Sequence, residues 1–177
     1  MYQNIDEIYA ALEKTRARLL AKIETLGAED QQRRENETGW TVGEIVEHLS
    51  IVENGSMKVA RKLLREAETS GAASDGTVKL AADFLDKLAP LGAGQKISAP
   101  ETVHPQGRQT FAESLAKLKE SRTALAEMRP RLQKFDASEP TFPHPLLGAL
   151  NAYQWLIVLG LHERRHLAQI ERILQNN

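Results

Sequence analysis

Residues 151–170 read NAYQWLIVLGLHERRHLAQI, and they decide how the rest of the chain is read. Asn151 followed by Gln154 is a helix-start pairing in which each side chain can bond the other residue's backbone N–H. From there Leu156, Leu159, Ile170 and Ile173 recur at helical spacing along one side, so a helix is expected almost to the C-terminus. Within it stand His162 and His166, and residues four apart on a helix lie one above the other. His162 follows Leu159 by three and His166 precedes Ile170 by four, so both imidazoles are expected to face inward where leucines would be ordinary.

Working outward, three more segments carry the same periodicity. One runs from about Ile5 to Leu26, with Ile5, Ile8, Leu12, Leu19, Ile23 and Leu26 on one side, Asn4 and Glu7 as its capping pair and Gly27 as its stop. A second starts at Thr41, where Thr41 and Glu44 form a capping box and Trp40 can pack on Ile45; its stripe is Val42, Ile45, Leu49, Val52, Val59 and Leu63. A third opens with Thr110 and Glu113 and continues through Phe111, Leu115, Leu118 and Leu125 toward Pro130, where a kink or an end is expected. Between the second and third lies a long connection, Thr69 to Gln109, with a helical patch around Leu80 to Leu88 that predicts a short extra helix. The Gly, Ala and Ser residues from Ser70 to Gly76 read as a mobile loop tip. With no β-alternating stretch, the pattern predicts an all-α four-helix bundle with one long crossover between helices 2 and 3 and otherwise short links.

The 177 residues, 41% of them hydrophobic, suit a single domain over 1–177. Lys+Arg 23 against Asp+Glu 24 gives a formal net charge of -1, which offers no basic field for nucleic acid or an anionic membrane. The longest apolar run, Trp155 to Leu161, is far short of the roughly 20 residues a membrane-spanning helix needs. The opening residues lack the basic and apolar regions of a signal peptide, so a cytoplasmic protein is expected. Without cysteine, thiolate metal sites and a protein thiol nucleophile are ruled out, and any metal must be held by His, Asp or Glu. No phosphate-cradling glycine loop and no serine elbow is present.

His48, three after Ile45 and four before Val52, also interrupts a core-facing stripe. Three inward histidines on two helices suit zinc, nickel or ferrous iron and leave positions open. Spacing alone equally allows each to be a hydrogen-bonded core histidine. Glu44 already has a capping role. Glu163 and Arg164 are expected to point to solvent or a neighbouring helix, and Arg165 to be solvated or salt-bridged. His104 and His144, both beside prolines in connecting segments, read as exposed or as lining a pocket mouth. Trp40 and Trp155 read as packing residues.

The stretch from Gly39 to Leu49, GWTVGEIVEHL, resembles the second-helix signature of DinB-like proteins. The segments HPLLGALNAYQW at 144–155 and HERRHLAQI at 162–170 resemble that family's closing loop and metal helix. The resemblance implies an up-and-down-type bundle, a divalent metal on His48, His162 and His166, and frequently a homodimer. It also implies metal-dependent thiol transferases using low-molecular-weight thiols, or metal-dependent hydrolases, acting on small-molecule substrates. With no fourth protein ligand evident, the donor set is open, as catalytic rather than structural sites are. The expectation is a metal-dependent enzyme such as an S-transferase with a low-molecular-weight thiol cosubstrate; the alternatives are a metal-dependent hydrolase, or a non-catalytic, metal-stabilised bundle with a binding or sensing role. No catalytic residue is assigned.

Overall fold

The computed structural model describes residues 2–92 and 99–175. Four long helices, α1 (Ile5–Ile23), α3 (Val42–Ser70), α5 (Phe111–Lys134) and α6 (Ala152–Gln175), form the bundle. Two short ones, α2 (Ala28–Gln32) and α4 (Phe84–Gly92), and a two-stranded hairpin, β1 (Thr141–His144) with β2 (Gly148–Asn151), lie in the connections.

The helix starts follow their caps. Asn4 Oδ1 accepts Glu7 N–H at 3.0 Å. Thr41 with Glu44 and Thr110 with Glu113 both close reciprocal capping boxes, satisfying backbone N–H groups that the first turn leaves free. Asn151 and Gln154 do the same, with Asn151 N–H donating to Gln154 Oε1 at 2.9 Å and Gln154 N–H to Asn151 Oδ1 at 3.0 Å.

The ends depart further from expectation. α1 stops at Ile23, and Gly27, expected as its stop, instead precedes α2 with an ordinary φ of -71. Pro130 neither ends nor visibly interrupts α5, which continues to Lys134. Its missing N–H costs the ladder one bond, while Met128 and Leu132 on either side are both 1% exposed, so core packing carries the helix past it. The extra helix lies at Phe84–Gly92, a few residues beyond the patch that predicted it, and is anchored by buried Phe84. The loop after α3 is no free tip. Gly71 closes α3 at φ 72, Asp136 N–H then bonds Ala72 C=O at 2.9 Å, and Ser74 N–H bonds Lys134 C=O at 3.0 Å. The hairpin was not expected. Its strands are four residues each, paired from Thr141↔Asn151 to His144↔Gly148, too short to display an alternation.

Two apolar clusters fill the bundle. One joins Ile5 to Leu12 of α1, Met57 to Ala67 of α3, Leu125 to Leu132 of α5 and Trp155 to Val158 of α6. The other joins Leu19 and Ile23, Val42 to Leu49, Leu118, and Leu167 to Ile173. Reading each helix from cluster to cluster gives its direction: α1 and α6 run one way, α3 and α5 the other. The resemblance implied an up-and-down bundle, but the order is up-down-down-up. The parallel pair α3 and α5 needs a return along the whole bundle, about 43 Å for a 29-residue helix at 1.5 Å per residue. That geometry is why the connection at 71–110 is long. α1 and α3 each pack chiefly on α5 and α6, which sets α1 diagonal to α3 and α5 diagonal to α6, with α3 and α5 side by side. The links at 24–41 and 135–151 must therefore cross the bundle's ends, which is why they hold α2 and the hairpin where short links were expected.

Between the two clusters every long helix carries a charged residue: Arg16, Glu53, Arg122 and Glu163. Arg16 Nε bonds Glu163 Oε1 at 2.8 Å, and Arg16 Nη2 pairs closely with Glu53 Oε2. Arg16 Nη1 bonds Leu118 C=O at 2.6 Å. Arg122 Nη2 bonds Glu163 Oε2 at 3.0 Å. Two cations and two anions thus neutralise one another inside the core, with Arg16 and Glu53 each 2% and Glu163 1% exposed. Glu163 therefore reaches neighbouring helices rather than solvent.

Candidate metal centre

The histidines stand beside this layer in sequence: His162 precedes Glu163 on α6, and His48 lies between Val46 and Leu49 of the second cluster on α3. His48, in the second turn of α3, and His162 and His166, one turn apart on α6, present one ring nitrogen each within 4.8 Å of one another. The three ring centroids lie 4.6 to 5.1 Å apart. His48 is buried and His162 partly open.

Hydrogen bonds settle which nitrogens face each other. His48 Nδ1 lies 2.7 Å from Val103 C=O; a carbonyl only accepts, so Nδ1 carries the proton and Nε2 keeps its lone pair. His166 Nδ1 lies 2.8 Å from Gln169 Oε1, which leaves its Nε2 free in the same sense. His48 Nε2 and His162 Nε2 are 3.1 Å apart. Two nitrogens that share an ion at about 2.0–2.1 Å are separated by about 2.9–3.4 Å for angles between square and tetrahedral. The observed spacing is that of one edge of a coordination polyhedron. His162 Nδ1 is buried without a hydrogen-bond partner.

Burial lowers the pKa of all three histidines, aided by nearby His104 at His48 and by the neighbouring triad rings at His162 and His166: His48 lies below its usual value, His162 well below it, and His166 at about 4. The triad is therefore neutral at pH 7, the state in which imidazole is a ligand. Among the described residues no carboxylate joins the cluster. Each nearby acid is engaged elsewhere: Glu44 caps α3, Glu47 accepts the Gly107 and Arg108 N–H groups, and Glu163 lies in the charge layer. The residues fit a divalent ion whose charge the protein leaves uncompensated.

The other residues singled out from sequence surround this set. Trp40 packs against the His48 ring at 4.8 Å and the His104 ring at 5.6 Å. His104 Nε2 bonds Ala99 C=O at 2.8 Å. His144 accepts Leu146 N–H on Nδ1 at 3.2 Å and packs, tilted, against Trp155 at 5.0 Å, two turns before His162. Neither His104 nor His144 enters the cluster. Missed from sequence were Val103 and Gln169, which orient two of the rings. Val103 lies 55 residues from His48, beyond any local pattern, whereas Gln169, three after His166, was a readable helical neighbour.

Fold and donor set together define an all-α bundle with an inward histidine triad suited to a metal ion. The chain belongs to the DinB superfamily, whose family model matches residues 11–170. It is 27% identical over 168 residues to YuaE, an uncharacterized protein of Bacillus subtilis (strain 168), covering 89% of this chain and 92% of that one. Among solved structures it is similar to TT2238, a four-helix bundle protein, with a TM-score of 0.63 and 26% identity over 94% of this chain and 98% of the other. It also shares its fold with Bacillus subtilis YfiT, described as a probable metal-dependent hydrolase with an unusual four-helix bundle topology. That match has a TM-score of 0.59 and 20% identity, over 96% of this chain and 85% of YfiT.

Proposed function

We propose that His48, His162 and His166 hold one divalent ion, zinc, nickel or iron, and that the protein is a metal-dependent enzyme acting on a small molecule. One observation carries the reading: three neutral imidazoles converge, two of them at coordination-edge spacing, with every neighbouring carboxylate committed to another bond. A structural site is normally closed by four protein ligands, while an open set of three is the catalytic form. A divalent ion held there supplies Lewis acidity and lowers the pKa of whatever protic nucleophile reaches it.

The chain's own part is positional. Val103 and Gln169 fix two rings so that their Nε2 lone pairs point inward, and Trp40 backs His48. Water as nucleophile makes the protein a hydrolase, the description given to YfiT. The second reading, an S-transferase, is the one the family resemblance implies; with no cysteine in the chain, its thiol would come from a low-molecular-weight cosubstrate.

The deciding experiment is metal analysis of the purified protein beside His162→Ala. One bound ion per chain in the wild type, and a loss of about tenfold or more in affinity in the variant, is expected; equal metal content in both removes the site. Turnover of ester or amide substrates by water then identifies a hydrolase. Consumption of an electrophile only when a small thiol is added identifies a transferase.

A further inference from the structure

The segment that precedes α5 is fastened to α3 by one carboxylate. Glu47, 3% exposed, accepts Gly107 N–H on Oε2 at 3.0 Å and Arg108 N–H on Oε1 at 3.1 Å. Gly107 has a φ of 65, a conformation that costs glycine little. Here two successive N–H groups converge on one acidic group. Ser50 Oγ, a turn further along α3, adds a bond to Gln109 Oε1 at 3.2 Å. Four residues upstream of Gly107, Val103 C=O accepts the His48 Nδ1 proton. Glu47 and His48 are adjacent, so residues 103–108 form a strap held at both ends on a single turn of α3.

A buried carboxylate is costly unless satisfied, and Glu47 is satisfied by the strap. The strap residues Gln106 to Arg108 are themselves exposed, so apolar burial does little to hold them. Glutamine would be a poor substitute, since two converging N–H donors need two acceptors and an amide offers one.

We propose that Glu47 is a positioning residue for the histidine triad: it holds the 103–108 strap on α3 so that Val103 keeps His48 as the Nδ1–H tautomer with its Nε2 lone pair toward His162. The inference builds on the metal-centre reading but makes a claim of its own about the metal-free protein.

The test uses the full chain as wild type, Glu47→Ala, Glu47→Gln and Gly107→Pro, with Glu68→Ala as a control that breaks the unrelated Arg131 pair. Three quantities are read: the His48 tautomer from imidazole nitrogen shifts in metal-free protein, hydrogen exchange at 103–108, and zinc affinity. In Glu47→Ala, His48 is expected to show mixed tautomers, the strap amides to exchange faster, and zinc affinity to fall about 10–100-fold, the usual effect of losing a group that orients a ligand. Glu47→Gln should fall between, and Glu68→Ala should match wild type in all three. A wild-type tautomer and zinc affinity in Glu47→Ala overturn the proposal. If wild type binds no zinc, the functional reading fails, and the tautomer and exchange data still decide the role of Glu47. If Glu47→Ala does not fold, Gly107→Pro, which cannot adopt φ 65 and has no N–H to give Glu47, displaces the strap without touching α3, and an unchanged His48 tautomer there overturns the proposal.

Discussion

Replacing Arg16 by methionine tests whether the charge layer is held by mutual neutralisation. Arg16 bonds Glu163 through Nε and Nη2, Glu53 through Nη2 and Leu118 C=O through Nη1. Its removal leaves Arg122 facing two glutamates, a change from neutral to one net negative charge inside the core. Taking one partner from a buried ion pair costs about 3–5 kcal/mol because the remaining charge is uncompensated. For a chain of this size about 2–4 °C is lost per kcal/mol, so the midpoint should fall by roughly 6–20 °C. Urea unfolding followed by far-ultraviolet circular dichroism gives the free energy directly, and the slope should not change. The double variant Arg16→Met/Glu163→Leu restores charge balance and should recover about 1–2 kcal/mol or more, since apolar replacement of a buried pair is often neutral. A loss below about 1 kcal/mol in the single variant, or a double variant no better than the sum of two singles, would refute the reasoning.

Acid should destabilise the metal-free protein through its histidines. Burial lowers His166 from 6.5 to about 4, so between those values the unfolded chain binds a proton that the folded one refuses, and stability falls with falling pH. At 1.36 kcal/mol per pKa unit the loss is about 3 kcal/mol. It is fully avoided above pH 6.5, and His166→Gln should flatten that part of a stability-versus-pH curve measured by urea titration. Gly71→Ala places a Cβ on a residue at φ 72 with nothing within 4 Å of it, so only backbone strain is added; a cost of about 1–2 kcal/mol in thermal unfolding is expected, and no cost would mean the α3 terminus relaxes freely.

How far the sequence could be read depended on the range of the interaction. Thr41 with Glu44, Thr110 with Glu113, and Asn151 with Gln154 act across three residues, and each starts its helix where the spacing indicates. Pro130 misled because its local preference was outweighed by Met128 and Leu132 packing into the core. Glu163 was legible in principle: four after Leu159 and four before Leu167, it lies on the buried stripe of α6. A charge there, matched by Arg16 between Leu12 and Leu19, points to internal pairing. The strap on Glu47 had no such mark, since the two ends of that bond lie 60 residues apart.

For the histidines, the sequence by itself determined that His162 and His166 share one face of α6, because a turn of helix fixes residues four apart. It also placed His48 on the inward stripe of α3. Only the tertiary structure decided that these two faces meet, since that follows from the up-down-down-up order of the helices, which no periodicity encodes. Tertiary contacts also decided which nitrogens converge. The Val103 carbonyl that sets the His48 tautomer arrives on a connection that must run the length of the bundle because α3 and α5 are parallel.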